Sequence, residues 1–152
     1  MDDTVGDDEL LDEAAEAAVL TVPDDETLLA VVGELFPPLF GITLSPVPDH
    51  ALAAETEIGT LFVGVLSDFV ISLELRLHGH YRLTMELLEY LNEENAGSAF
   101  VTFSSLDGRL WVSGNVDGRP LVPDHLARVL TYMFQAATTV VGEVMPEPEP
   151  GG

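Results

Sequence analysis

Cysteine and lysine are both missing from this 152-residue chain. Without cysteine there is no disulfide, no thiolate nucleophile and no thiolate metal site. Without lysine there is no Schiff-base chemistry and no P-loop phosphate clamp. Five arginines stand against 27 acids, giving a formal net charge of −22. A field of that sign repels nucleic-acid phosphates and anionic lipid headgroups. It suits a basic partner, and it also keeps an apolar protein in solution. No run approaches the ~18–20 apolar residues of a membrane-spanning helix. The first residues are acidic rather than basic, so no secretory signal is expected. The expected location is the cytoplasm, with no nucleic acid and no membrane as partner.

What is present is apolar. Hydrophobic residues make up 47% of the chain, enough for one core in a chain of single-domain length. Residues 1–26 hold eleven acids and no base. Leu11, Ala14, Ala15 and Ala18 recur there at helical spacing, but an alanine stripe buries little. Residues 1–22 are therefore expected to form a flexible acidic arm, in part helical. Residues 145–152 read as a disordered Pro/Glu/Gly tail, which leaves residues 23–144 as the folded domain.

Within the domain, Asp24 or Asp25 can cap a helix whose apolar face is Leu28, Val31, Val32 and Leu35. Pro37 and Pro38 are expected to stop it, with residues 39–50 as a loop and 51–57 as a short edge strand. Leu61–Leu66 is an apolar run of strand length. After a turn at Ser67-Asp68, Phe69, Ile71, Leu73, Leu75 and Leu77 alternate with Val70, Ser72, Glu74 and Arg76, the period of a half-buried strand. From Tyr81 the period turns helical through Leu83, Leu87, Leu88 and Leu91. Ala99–Phe103 and Leu110–Val116 flank a turn at Leu106-Asp107-Gly108 and read as a hairpin. Pro123 and Asp124 open a last helix with Leu126, Val129, Leu130, Met133, Phe134, Ala137, Val140 and Val141 on one face, ended by Gly142 and Pro146. The predicted fold is α+β: one antiparallel five-stranded sheet packed with helices, in the order α-β-β-β-α-β-β-α.

The residues offer little for catalysis. His78 and His80 share one side of a strand end, yet no third ligand stands at metal-site spacing beyond Glu74 or Asp68. His125 lies beside Asp124 in a cap region, and His50 has no visible partner. No serine sits in a nucleophile elbow, and no glycine-rich loop opens a helix. The acids crowd into the arm or onto polar faces. No enzyme activity, metal or cofactor is expected. The remaining signal is aromatic: Phe62, Phe69, Phe100, Trp111 and Tyr132 are spread over the strands and the last helix. Phe100 and Phe103 are three apart, so one strand would send them to opposite faces. An aromatic strip outside the core marks a contact for a peptide or a second copy. These five residues are the candidate partner-binding set.

The stretch Leu87-Leu88-Glu89-Tyr90-Leu91-Asn92-Glu93-Glu94-Asn95 resembles the LL-x-x-LN-x-x-N helix end of YbjN-like and type III secretion chaperone-like (CesT-like) domains. A strand from Ala99 follows, then an Asp107-Gly108-Arg109 turn, the strand Leu110–Gly114, and a helix beginning Leu126-Ala127-Arg128-Val129-Leu130. The resemblance spans about residues 24–144. The alanine-rich first strand and the long acidic arm depart from it. It implies a non-catalytic, homodimeric chaperone that holds an extended client polypeptide through a sheet face, a sheet edge and apolar grooves. The composition leaves a second reading open, a regulatory or structural subunit that docks its acidic arm on a basic partner.

Overall fold

The computed structural model describes residues 20–48, 51–79, 84–97 and 100–143. The acidic arm up to residue 19, the C-terminal tail, His50 and His80 lie outside them. Helix α1, Asp25–Phe40, starts where the Asp24 carboxylate accepts a hydrogen bond from the Thr27 amide at 2.7 Å. It is not stopped by Pro37 and Pro38, as the sequence predicts, but runs one further turn to Phe40. Burial accounts for the difference. Phe36 is fully buried, and Phe40 packs edge-on against it at 4.8 Å. Gly33 stands four residues before Pro37, where the proline ring crowds the helix. Gly41, at φ 68°, closes the end by donating to the Pro37 carbonyl at 2.9 Å.

Six strands follow rather than five. The additional one, β1 (Ser45–Val47), lies in the stretch expected to be loop. Three residues with a central proline carry no readable period, and the strand exists by pairing with β2 (Ala51–Glu55). β3 (Gly59–Leu66) and β4 (Val70–Leu77) pair along their whole length. Phe69 is not the first residue of β4. It belongs to the tight turn Ser67–Phe69, where both Asp68 (φ 67°) and Phe69 (φ 62°) are left-handed. That costly geometry for a bulky residue is tied down from three sides. The Phe69 amide donates to Asp25 Oδ1 at 2.9 Å, and its carbonyl accepts from Gly118 at 2.8 Å. The Arg119 guanidinium lies 4.0 Å above its ring.

Helix α2 (Met85–Gly97) leads to the hairpin of β5 (Thr102–Leu106) and β6 (Arg109–Asp117). Asp107 and Gly108 both have positive φ, the geometry of a two-residue primed turn that matches strand twist. Phe100 falls before β5 rather than in it. Helix α3, Pro123–Glu143, passes through Gly142 before it ends. The sheet is antiparallel, in the order β1-β2-β3-β4-β6-β5.

Alternation sorts the sheet into two faces. Leu61 and Val63, Ile71, Leu73 and Leu75, and Val112 are buried on one. Leu28, Val32 and Phe36 of α1, Leu87 and Leu91 of α2, and Leu126, Leu130 and Met133 of α3 meet them there. Each such burial contributes about 1.5–3 kcal/mol, so this side holds the fold together. Gly114 shows how close the layers come. A Cβ there would meet Val129 Cγ1 at 2.7 Å and Met133 Sδ at 3.2 Å.

Candidate peptide-binding face

Among the described residues, no helix lies on the other face of the sheet. The alternate residues of each strand occupy it: Thr60, Phe62, Gly64 and Leu66 of β3; Ser72, Glu74 and Arg76 of β4; Trp111, Ser113 and Asn115 of β6. At its centre the Phe62 and Trp111 rings lie 5.8 Å apart, half-buried against each other. The Arg76 guanidinium sits over both, 5.3 Å from the Phe62 centroid and 5.8 Å from that of Trp111. Arg76 is the register partner of Trp111, so the pairing of β4 with β6 brings the two together. Leu66 (54% exposed) and Leu106 (62%) stand at two corners of the same face.

The cluster is short of acceptors. Arg76 Nε and Trp111 Nε1 are both enclosed and have no hydrogen-bond partner among the described residues. The acids nearby do not answer Arg76. Glu55 accepts from the Thr60 hydroxyl at 2.6 Å, and among the described residues no carboxylate forms an ion pair with Arg76, not even Glu74 two residues before it on the same face. An arginine held between two rings and left without a carboxylate can stack on flat groups and donate to an acceptor at once.

The five candidate residues fall in three places. Phe62 and Trp111 form the centre just described. Phe69 is in the β3–β4 turn, half-buried beneath Arg119. Phe100 and Tyr132 are on the helical side, with rings stacked at 5.1 Å and 47% and 43% exposed. Arg76 was legible only as one polar residue of an alternating strand. Its weight comes from its neighbours in register, which a single strand does not announce.

The two sheet edges are both blunted. β1 is three residues long and carries Pro46, with Pro48 directly after it. Two missing amide donors make it a poor template for another strand. At β5, Leu106 and Arg109 flank the two-residue turn and so form a hydrogen-bonded pair, which directs the amide and carbonyl of Phe103 outward. Asn95 of α2 takes both. Its Nδ2 donates to the Phe103 carbonyl at 3.0 Å, and its Oδ1 accepts from the Phe103 amide at 2.7 Å. The side chain does here what a neighbouring strand's peptide would do. Beside the β1–β2 edge a groove of about 720 Å³ is lined by Leu29, Pro46, Val47, Leu52 and Val65, with Asp25 and Glu26 of α1 at its rim.

The histidines are occupied otherwise. The His78 ring nitrogen is 3.0 Å from the Thr56 carbonyl. Asp124 pairs with Arg128 at 3.2 Å rather than with His125. Among the described residues no group of three His, Asp or Glu stands where it could hold a metal ion, and no helix is long and apolar enough to cross a membrane. Hydrogen bonds from Thr27, the backbone one foremost, hold the Asp24 carboxyl below its ordinary value.

Comparison with known proteins agrees with this architecture. The structure is similar to that of YbjN from E. coli, with a TM-score of 0.62 and 15% identity over 85% of this chain and 99% of that one. It is also similar to the Yersinia pestis type III secretion chaperone SycH, solved in complex with a stable fragment of YscM2. There the TM-score is 0.56 and the identity 15%, over 75% of this chain and 97% of that one. At such identity the likeness shows the fold. No curated protein matches the sequence. The family model described as T3SS (YopN, CesT) and YbjN peptide-binding chaperone 1 matches residues 25–146, and the chain belongs to that non-catalytic family, TY-Chap1.

Proposed function

We propose that this protein holds an extended client polypeptide against the helix-free face of its sheet, with Phe62 and Trp111 as apolar anchors and Arg76 as the polar one. The observation that carries this reading is the pair of half-buried rings at 5.8 Å on a face that no described helix covers. A core stabilised wholly from the other side leaves these rings without a structural task. Aromatic and arginine side chains are the ones that most often dominate such contacts. The work is non-catalytic holding in the cytoplasm, and the client is read through its side chains.

The test is retention of a reduced, alkylated model polypeptide on beads by purified protein. Phe62→Asp and Trp111→Asp should each weaken retention at least about tenfold, the range of a hot-spot truncation. Their circular dichroism should remain that of the parent. Variants that fold and retain the polypeptide unchanged would place the client elsewhere, with the groove beside β1 next in line.

The stacked Phe100–Tyr132 pair on the helical side belongs, in this reading, to a homodimer contact rather than to the client site. Sedimentation velocity of Tyr132→Arg should then show a lighter species than the parent. Equal sedimentation of the two would remove the pair from any dimer.

A further inference from the structure

Arginine is scarce in this chain, and two of the five stand on one face without a carboxylate partner among the described residues. Acids outnumber arginines 27 to five, so a carboxylate beside each arginine is the ordinary expectation. Arg119 and Arg128 meet it, pairing with Asp68 at 3.4 Å and with Asp124 at 3.2 Å. Arg76 and Arg109 do not, and register places both beside Trp111. Arg76 is directly opposite it on β4. Arg109 precedes it by two residues on β6, on the same face by alternation. The rest of that row across the sheet is neutral, with Thr60 beyond Arg76 and Ser104 beyond Trp111. Of the Arg76 guanidinium nitrogens only Nε is enclosed without a partner, so the two terminal nitrogens are within reach of a ligand.

The spacing specifies that ligand. The guanidinium is 5.3 Å from the Phe62 centroid and 5.8 Å from that of Trp111. On an extended segment, side chains two residues apart point the same way at about 6.6–6.8 Å. An apolar side chain lying on the rings therefore brings the side chain two residues away to Arg76. A fork of donors held flat against rings binds a carboxylate more strongly than a neutral amide. The net charge of −22 opposes an acidic ligand mainly at long range, where a screening length of about 8 Å at physiological salt weakens it. Glu74, two residues from Arg76 on the same face, lies inside that length and admits one carboxylate rather than a run of them. We propose that the helix-free face selects client segments in which an acidic side chain stands two residues from an apolar one, with the acid on Arg76 and Arg109 and the apolar group on Phe62 and Trp111. This selection rests on the function proposed above and names the chemistry of its client.

Trp111 is the single tryptophan of the chain, so its emission reports this face alone. The probes are short serine–glycine peptides, capped at both ends, that carry one leucine and, two residues on, one glutamate. A second peptide has glutamine in place of the glutamate, and a third has that glutamine and a free C-terminal carboxylate. Titrated against the full chain, the glutamate peptide should bind about three- to tenfold tighter than the capped glutamine peptide. That is the upper end of an exposed ion pair and somewhat beyond it, because Arg76 is half-buried. Arg109→Gln, which leaves the ring cluster untouched, should lower the preference on its own. Arg76→Gln combined with Arg109→Gln should abolish it, while the glutamine peptide binds as before. Equal binding of the two capped peptides to the parent would overturn the proposal. So would a preference that survives the double variant, or a free chain end that binds as well as the glutamate. If Phe62→Asp abolishes binding of both capped peptides and the parent binds them equally, the face holds clients and only the choice of an acid falls. If neither peptide moves the emission of Trp111, the face itself fails and the proposal with it.

Discussion

Replacing Asn95 by alanine should both loosen the fold and open an edge. Two hydrogen bonds are lost, at 2.7 and 3.0 Å, each contributing about 0.5–1.5 kcal/mol net. The expected destabilisation is therefore about 1–3 kcal/mol. For a chain of this length that lowers the melting temperature by roughly 2–12 °C. The second effect is the more telling. The amide and carbonyl of Phe103 point outward with no partner, on a five-residue strand that carries neither proline nor lysine. Such an edge recruits another strand. Sedimentation velocity should show concentration-dependent association in Asn95→Ala beyond that of the parent. Asn95→Asp, which keeps the acceptor and loses the donor at neutral pH, should be intermediate in melting temperature. An Asn95→Ala protein that melts with the parent would mean that the amide pair carries no weight. One that melts early yet sediments as the parent would mean that β5 was never an edge worth closing.

Two further perturbations probe the frame that positions the face. Gly114→Ala puts a Cβ 2.7 Å from Val129 Cγ1 and 3.1 Å from the Phe100 carbonyl, so α3 must shift. A loss of about 1–3 kcal/mol is expected in denaturant unfolding, together with altered Phe100–Tyr132 stacking, and an unchanged midpoint would contradict the close packing. Asp24→Ala removes the cap of α1, whose carboxyl is held below its ordinary value by the bonds from Thr27. A depressed folded-state pKa gives stability that is complete above the unfolded value of about 3.9 and is lost as pH falls through the folded one. The parent should therefore melt above the variant at neutral pH and lose that advantage in strong acid, and a gap independent of pH would assign the effect to something other than the carboxylate.

The sequence and the structure agree where local period and burial point the same way. β4 shows this best, because its alternation of Ile71, Leu73, Leu75 and Leu77 with polar residues is the burial pattern of the folded strand. The Asp24 cap and the turn at Asp107-Gly108 were legible for the same reason, as local chemistry decides them. Where tertiary packing overrode a local rule, the sequence misled. Phe36 and Phe40 carry α1 through two prolines, and Phe69 is held in the left-handed region by partners 44 and 49 residues away, Asp25 and Gly118. β1 has no signal of its own, because a three-residue edge exists only through its neighbour. The candidate site divides the same way. Alternation implied an uncovered aromatic face, but it could not say which aromatics share it. Register alone joins Phe62 to Trp111 through Arg76 and leaves Phe100 and Tyr132 on the far side. Asn95 stood in plain sight as the last residue of the helix-end motif. Its role needed the outward direction of Phe103, which is a property of the hairpin and not of the helix.

The blunting of both edges bears on how a client is recognised. A strand added to an edge is held by its backbone and reads out as tolerance of sequence. A segment laid on a face is held by side chains and needs no backbone donors from the sheet. Here Pro46 and Pro48 deplete one edge of donors and Asn95 occupies the outward groups of Phe103 on the other, while the face keeps Phe62, Arg76 and Trp111 in reach of a ligand. The two modes separate under backbone chemistry. A peptide retained by the parent protein can be remade with alternate amides N-methylated, which deletes the donors an edge would use and leaves the side chains in place. Face binding predicts affinity within about threefold of the unmodified peptide. Edge binding predicts a loss of about 0.5–1.5 kcal/mol for each donor removed, so three such amides would weaken it by roughly ten- to a thousandfold. Titration of both peptides against the emission of Trp111 reads the two cases directly, and a steep loss on methylation would return the client to an edge despite the prolines and Asn95.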